Sequence, residues 1–213
     1  MTAKEEDILT SQNLIKKGVV IEKLLESLIV TPGVNVNDLL VGDKNAVMIA
    51  ARILAYGPEY KVRVQNPGTG EEMETEFDLT DCPFKELPED IDYTKNEFNL
   101  ELPISKATVT LKFLTGVDEI SINKELESRK KIGQSAEVTT RLKHVITAIN
   151  GDTDRANIVA FTENMLSKES MLVRDEIKRI MPDINLNKEV EFPSGETVSL
   201  DIPMTVEFFW PRT

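Results

Sequence analysis

Residues 46–56, AVMIAARILAY, carry the strongest helix signal in the chain. All of them except Arg52 are apolar or aromatic, and the small alanines favour close packing on both sides of the helix. Asp43 stands where an N-cap is expected, and Gly57-Pro58 supplies the glycine and proline that commonly follow a helix end. We therefore predict a central helix within an N-terminal helical region, residues 1–60.

Outward from this helix, alternating apolar residues predict short antiparallel hairpins. Residues 61–116 form a predicted β-hairpin region, whose first hairpin turns at residues 66–70. Residues 117–183 form a second helical region, with one helix over 135–149. Residues 184–213 form a C-terminal β-hairpin that packs back on the β region. The predicted fold class is α+β, helical segments packed with short antiparallel β-hairpins, in one compact unit.

The composition excludes several classes of function. The 213 residues include 37 acidic and 25 basic side chains, for a net charge of -12. Such a surface repels phosphates and anionic lipids, so we expect neither a nucleic-acid partner nor a membrane partner. Cys82 cannot form an internal disulfide as the single cysteine, and acidic neighbours predict an unreactive thiol. The first residues lack the apolar core of a signal peptide, so we expect synthesis in a cytoplasm.

The chain carries no recognisable catalytic or cofactor motif. His144 is the only histidine and falls in a helical apolar stripe, which favours a structural or surface role over general-base catalysis. The acidic segment 78–92 could attract calcium but lacks the spacing of a helical calcium loop, so a solvated loop is favoured. The glycine turns lack the order of a phosphate loop. We expect no catalytic residues, no metal and no cofactor.

Phe208-Phe209-Trp210-Pro211 is an unusual cluster of aromatic residues near residue 213. Exposure of such rings costs roughly 1.5–3 kcal/mol each, so something must cover them. We predict a strand here, in which consecutive side chains face opposite sides. Two readings stay open: a strand buried on both faces, or one face on this chain's core and the other on a partner.

Several blocks, in chain order, resemble the baseplate hub subunit family of T4-like contractile-tailed bacteriophages. The longest runs from Gly42 to Tyr60 and contains Asp-x-Asn and Ala-Arg-x-x-Ala-Tyr-Gly. The other blocks are Leu102–Lys106 with Leu111–Gly116, Asn150–Asp152, Arg174 ahead of Met181–Ile184, and Phe208–Pro211. Together they span residues 35 to 211, which is most of the chain.

The resemblance implies a late viral protein, a structural subunit of the central hub of a contractile tail baseplate, which works through protein–protein contacts. Its expected partners are other baseplate hub proteins and tail tube or spike proteins, in a hetero-oligomer. Its expected location is the virion tail, and the host cytoplasm during assembly. An alternative is a transient hub assembly chaperone that is absent from the mature virion. A cell-wall enzyme is disfavoured, because no Glu has the setting that lysozyme-type catalysis needs.

Some relatives place Cys-x-x-Cys pairs in the two glycine turns, like a zinc ribbon. Here the turns read Asn66-Pro67-Gly68-Thr69-Gly70 and Phe192-Pro193-Ser194-Gly195, so we predict no bound zinc. Arg52, among apolar neighbours, wants a carboxylate or carbonyl partner, either inside the chain or across a subunit interface. The candidate interface or structural motif comprises Asp43, Arg52, Tyr56, Tyr60, Phe208, Phe209, Trp210 and Pro211.

Overall fold

The computed structural model describes residues 1–131, 133, 136–202 and 204–209. These residues form an α+β fold, which confirms the predicted class. The α-helices are α1 (Ala3–Thr10), α2 (Gln12–Lys17), α3 (Val20–Leu28), α4 (Val41–Tyr56), α5 (Gly116–Lys131), α6 (Glu137–Val145), α7 (Arg155–Glu163) and α8 (Ser167–Ile180). The β-strands are β1 (Glu59–Gln65), β2 (Glu72–Asp78), β3 (Phe98–Glu101), β4 (Thr108–Leu111), β5 (Ile146–Ile149), β6 (Asn187–Glu191) and β7 (Thr197–Asp201). Short 3-10 helices cover Val36–Asp38, Leu79–Asp81 and Val206–Phe209. Among the described helices, none combines the length and the apolar character needed to cross a membrane.

The chain divides into two compact units. Unit 1 contains Met1–Val36, Gly42–Lys85 and Asp183–Thr213, and unit 2 contains Asn37–Val41 and Glu86–Pro182. Unit 1 therefore combines segments that are far apart in the sequence, whereas most of unit 2 is one continuous segment. The four predicted regions and their assembly into one compact unit stay predictions.

Unit 1 packs its N-terminal helices and α4 around one apolar core. In α3, Val20, Leu24 and Leu25 are spaced for one helix face, and all three are buried. The buried core residues of this unit are Leu9, Val20, Leu24, Leu25, Val36, Met48, Ile49, Ala51, Tyr60, Val62, Leu79, Ile184, Ile202, Phe208 and Phe209. The C-terminal segment thus contributes to the same core as the first helices.

Glu5 fixes the start of α1 and joins it to α3. Its carboxylate accepts hydrogen bonds from the Thr2 backbone N–H and the Thr2 hydroxyl, both at 2.7 Å. Its second oxygen accepts one from the Ser27 hydroxyl at 2.6 Å. The bond from Ser27, followed by those from Thr2, lowers the pKa of Glu5 to about 2. The N-terminal helices are therefore tied together by a carboxylate that is ionised at neutral pH.

The two β-hairpins of unit 1 form as predicted and meet at their turns. Strands β1 and β2 pair antiparallel, as do β6 and β7. The buried Asn66 side chain accepts hydrogen bonds from the N–H groups of Gly68 (2.8 Å) and Thr69 (3.2 Å). Its amide nitrogen donates a hydrogen bond of 2.8 Å to the carboxylate of Glu196. Glu196 lies in the turn between β6 and β7. Side-chain hydrogen bonds therefore join the two turns.

Replacing Asn66 should loosen both turns at once. We expect Asn66→Ala to lower the free energy of unfolding by about 2 kcal/mol, because it removes an acceptor for two N–H groups and the donor to Glu196. Asn66→Asp should also destabilise, since two carboxylates then face each other, and Glu196→Gln should restore part of that loss. Urea denaturation followed by circular dichroism measures each change. Equal stability of the wild type and Asn66→Ala would contradict this account.

Unit 2 is a three-stranded antiparallel sheet covered by helices. The strand order is β3-β4-β5, with a bulge in the β4–β5 ladder at Thr110/Leu111. Its buried core is contributed by the strands and by α6, α7 and α8, and comprises Phe98, Leu102, Ala107, Val109, Leu111, Phe113, Leu142, Val145, Ile146, Ile158, Val173 and Ile180. The rings of Tyr93, Phe98 and Phe113 pack against each other, with Phe98 and Phe113 at 4.4 Å between centroids.

The prediction of a helix over residues 135–149 is wrong in its second part. Helix α6 ends at Val145, and Ile146–Ile149 continues as β5, which pairs with β4. The run Val145-Ile146-Thr147 is β-branched and favours a strand. The apolar residues before this run have helical spacing. The spacing of apolar residues therefore changes from helical to strand-like within the segment.

A buried carboxylate holds the loop between β3 and β4. Glu169, at the start of α8, accepts hydrogen bonds from the N–H groups of Ile104 (2.8 Å) and Ser105 (2.7 Å) and from the Ser105 hydroxyl (3.1 Å). Burial acts to raise the pKa of Glu169, but these donors outweigh it and keep the pKa below its usual range. Lys106 closes the loop with a positive φ of 58°.

Candidate functional site

Arg52 is the buried centre of the predicted motif, and its partners are backbone carbonyls of unit 1. The side chain is 2% exposed. Its Nε donates to the carbonyl of Phe208 at 3.1 Å, Nη1 to Gly57 at 3.2 Å and Nη2 to Glu59 at 3.4 Å. The planar guanidinium thus joins the end of α4, the start of β1 and the C-terminal segment. A carboxylate or a carbonyl was the expected partner of Arg52, and the three hydrogen bonds go to carbonyls.

The aromatic side chains of Tyr60, Phe208 and Phe209 pack beside Arg52. The ring centroids of Tyr60 and Phe208 lie 5.0 Å apart, and those of Phe208 and Phe209 lie 5.3 Å apart at 83°. The predicted strand at this position is wrong, because Val206–Phe209 forms a 3-10 helix. Successive residues of a 3-10 helix are about 120° apart, which lets both phenylalanines turn inward. Both are fully buried in unit 1.

Tyr56 lies at the edge of this cluster and connects it to α1. The Arg52 guanidinium carbon is 5.0 Å from the centre of the Tyr56 ring, a cation–π contact. The Tyr56 hydroxyl donates to the Glu6 carboxylate at 3.2 Å. Partial burial, with the nearby Glu6 charge, raises the pKa of Tyr56 above its usual range. Burial lowers the pKa of Arg52.

Removal of the Arg52 guanidinium should destabilise unit 1 strongly. We expect Arg52→Met to lower the free energy of unfolding by about 3 kcal/mol, because three carbonyls lose a charged donor. Arg52→Lys should lie between wild type and Arg52→Met, since an ammonium cannot span three separate carbonyls with a rigid fork. Urea denaturation gives the differences.

Arg63→Met is the matched control for this experiment. Arg63 is exposed and pairs only at the surface, with Glu74 at 2.8 Å, so its loss should cost under about 1 kcal/mol. If Arg52→Met and Arg63→Met cost the same, the guanidinium does not hold the C-terminal segment.

The face of α4 opposite this cluster is partly open to solvent and includes one large exposed apolar residue, Leu54. Asp43, Val47, Ala50 and Leu54 recur at helical spacing and therefore lie on one stripe. Asp43, Ala50 and Leu54 are exposed, and the Leu54 side chain reaches 85% exposure. Val47 is half-buried and packs against the core of unit 1. We call the three exposed residues, Asp43, Ala50 and Leu54, the outer face.

The structure brings five of the predicted residues together and separates one. Arg52, Tyr56, Tyr60, Phe208 and Phe209 converge in unit 1. Asp43 lies apart, on the outer face.

The prediction that Asp43 is an N-cap is wrong, because α4 begins at Val41 and places Asp43 in the first turn. Its charge still favours the helix N-terminus there. Trp210 and Pro211 lie outside the described residues. The outer face itself was missed, although its spacing was visible in the sequence.

His144 and Cys82 are the side chains that were weighed for general-base or nucleophilic catalysis. The His144 Nε2 lies 3.8 Å from a Glu125 oxygen, and Glu125 also pairs with Arg129 at 3.0 Å. Cys82 is half-buried, and burial raises the pKa of its thiol. Within the described ranges, no three His, Cys, Asp or Glu side chains are grouped to hold a metal ion.

Comparison with known proteins identifies a family. The family model described as T4 bacteriophage base plate protein matches residues 1–210. No curated protein and no solved structure matches the chain. The family match covers both units.

Proposed function

The chain belongs to the T4 bacteriophage base plate protein family, and from this premise we propose that it is a structural subunit of the central hub of the tail baseplate. Membership makes it a structural protein of the virion tail. Within that role, we propose that it acts through contacts with other hub, tail tube or spike proteins. We also propose that it performs no catalysis and that it joins these partners in the host cytoplasm.

The observation that carries the proposal is the outer face of α4. A subunit that works by binding neighbours needs an apolar surface that its own fold leaves open. Leu54 and Ala50 provide one, next to the charge of Asp43. Because Arg52 fixes the same helix from the buried side, the outer face has a defined position before any partner binds. Binding to such a rigid surface costs little ordering entropy.

A transient assembly chaperone is the second candidate. The net charge of -12 favours it, since an acidic protein can shield a basic partner surface until assembly replaces it. Both candidates use protein contacts, so they differ in whether the chain stays in the finished particle.

A single charged substitution tests whether partner proteins bind to the outer face. We expect Leu54→Asp to leave the fold intact, because the side chain is 85% exposed, and to reduce co-purification with other tail proteins from infected cells at least tenfold. A carboxylate forced into an apolar contact costs more than the roughly 1.4 kcal/mol that corresponds to tenfold. Quantitative mass spectrometry of the affinity-purified tagged chain gives the ratio.

Met171→Asp serves as the matched control, since Met171 is an exposed apolar residue of α8 in unit 2. It should retain the co-purified proteins. Normal recovery of tail proteins with Leu54→Asp, with circular dichroism unchanged, would contradict binding through the outer face.

A further inference from the structure

An open cleft in unit 2 is lined by three basic residues, in a protein whose net charge is negative. Its volume is about 420 Å³. The basic residues Lys112, His144 and Arg155 line it, together with Thr147, Thr153 and the core residues Ile146 and Ile158, which are buried. The net charge of the chain is -12, so acidic partners are plentiful, and the three basic residues differ in whether they have one.

The Lys112 ammonium is neutralised, but the Arg155 guanidinium is not. Lys112 donates to both carboxylate oxygens of Asp118, at 2.8 and 2.9 Å. Arg155 donates one N–H to the carbonyl of Lys143. Among the residues that the structure describes, no carboxylate forms an ion pair with Arg155. A guanidinium has five N–H donors, so most of those on Arg155 remain for a ligand.

The positive charge of Arg155 affects the protonation of His144. Burial first, and then the positive charge of Arg155, lowers the pKa of His144 below its usual range. Lys112 acts in the same direction, whereas Glu125 and Asp118 act to raise the pKa. The imidazole is therefore neutral near pH 7. An anion placed beside Arg155 would relieve this repulsion and favour the protonated ring.

We propose that this cleft binds a carboxylate side chain of a partner protein, held by Arg155 and by the imidazole of His144. A singly charged carboxylate fits one unpaired guanidinium. The nearby carboxylates of Asp118 and Glu125 repel any anion, but they repel a doubly charged phosphate more strongly than a singly charged carboxylate. The choice of a protein as the source rests on the proposed function, whereas the carboxylate chemistry rests on the cleft alone.

Protonation of His144 adds a second charge to the cleft, so the affinity should rise as the pH falls through its pKa. The groups that face the imidazole are Arg155, Lys112, Asp118 and Glu125. The two acids keep their charge across this range, because the pKa of each is lowered. The pH dependence of binding therefore reports on His144.

The single histidine makes the test direct. The pKa of His144 is measured by NMR in the isolated chain, at constant ionic strength, with a capped Ile-Glu-Ile peptide and separately with inorganic phosphate. We expect the peptide to raise the pKa of His144 saturably, by about one pH unit. In Arg155→Gln, the pKa of His144 without ligand should be higher than in the wild type, and peptide binding should weaken roughly tenfold.

Arg179→Gln is the matched control, because Arg179 is exposed and already paired with Glu176 at 2.8 Å. It should bind the peptide like the wild type. An equal peptide response in Arg155→Gln and wild type, or no saturable response, would overturn the proposal. A response to phosphate alone would overturn the carboxylate assignment. None of these outcomes depends on whether the chain is found in tails, so failure here is distinct from failure of the hub proposal.

Discussion

Unit 1 depends on the guanidinium of Arg52, which binds three carbonyls from two distant parts of the sequence. Gly57 and Glu59 lie just after α4, whereas Phe208 lies 156 residues away. A buried charge without donors and acceptors in place is costly, so the C-terminal segment must close over Arg52 for the unit to be stable. The aromatic rings of Tyr60, Phe208 and Phe209 then exclude water from the same site.

This arrangement gives α4 two roles. Its inner side carries Met48, Ile49, Ala51 and Arg52 into the core, and its outer face presents apolar residues to solvent. A protein whose family builds the phage baseplate works by contact with neighbours, and a helix fixed from one side is a suitable contact surface. In unit 2, a buried carboxylate, Glu169, likewise fixes a loop that belongs to one of the blocks of family resemblance. Buried polar groups thus hold two of the segments that resemble the family in place.

The sequence was informative wherever the signal is local. The central helix and the hairpins follow from periodicity, glycine and proline, and they were predicted. Residues 146–149 were misassigned because β-branched residues there follow a helical stripe without a turn between them. The hydrogen bond from Asn66 to Glu196 spans 130 residues and has no local signature. The outer face was visible as a spacing, but periodicity cannot tell an apolar face covered by its own chain from one that is left open.

The central claim is that the chain stays in the baseplate as a structural hub subunit, and its abundance in mature tails tests that claim most directly. Quantitative mass spectrometry of purified tail particles should find the chain at a small, fixed ratio to the spike protein, unchanged after washing in high salt. Presence in assembly intermediates together with absence from mature tails would contradict the claim and would make the chain a transient assembly factor.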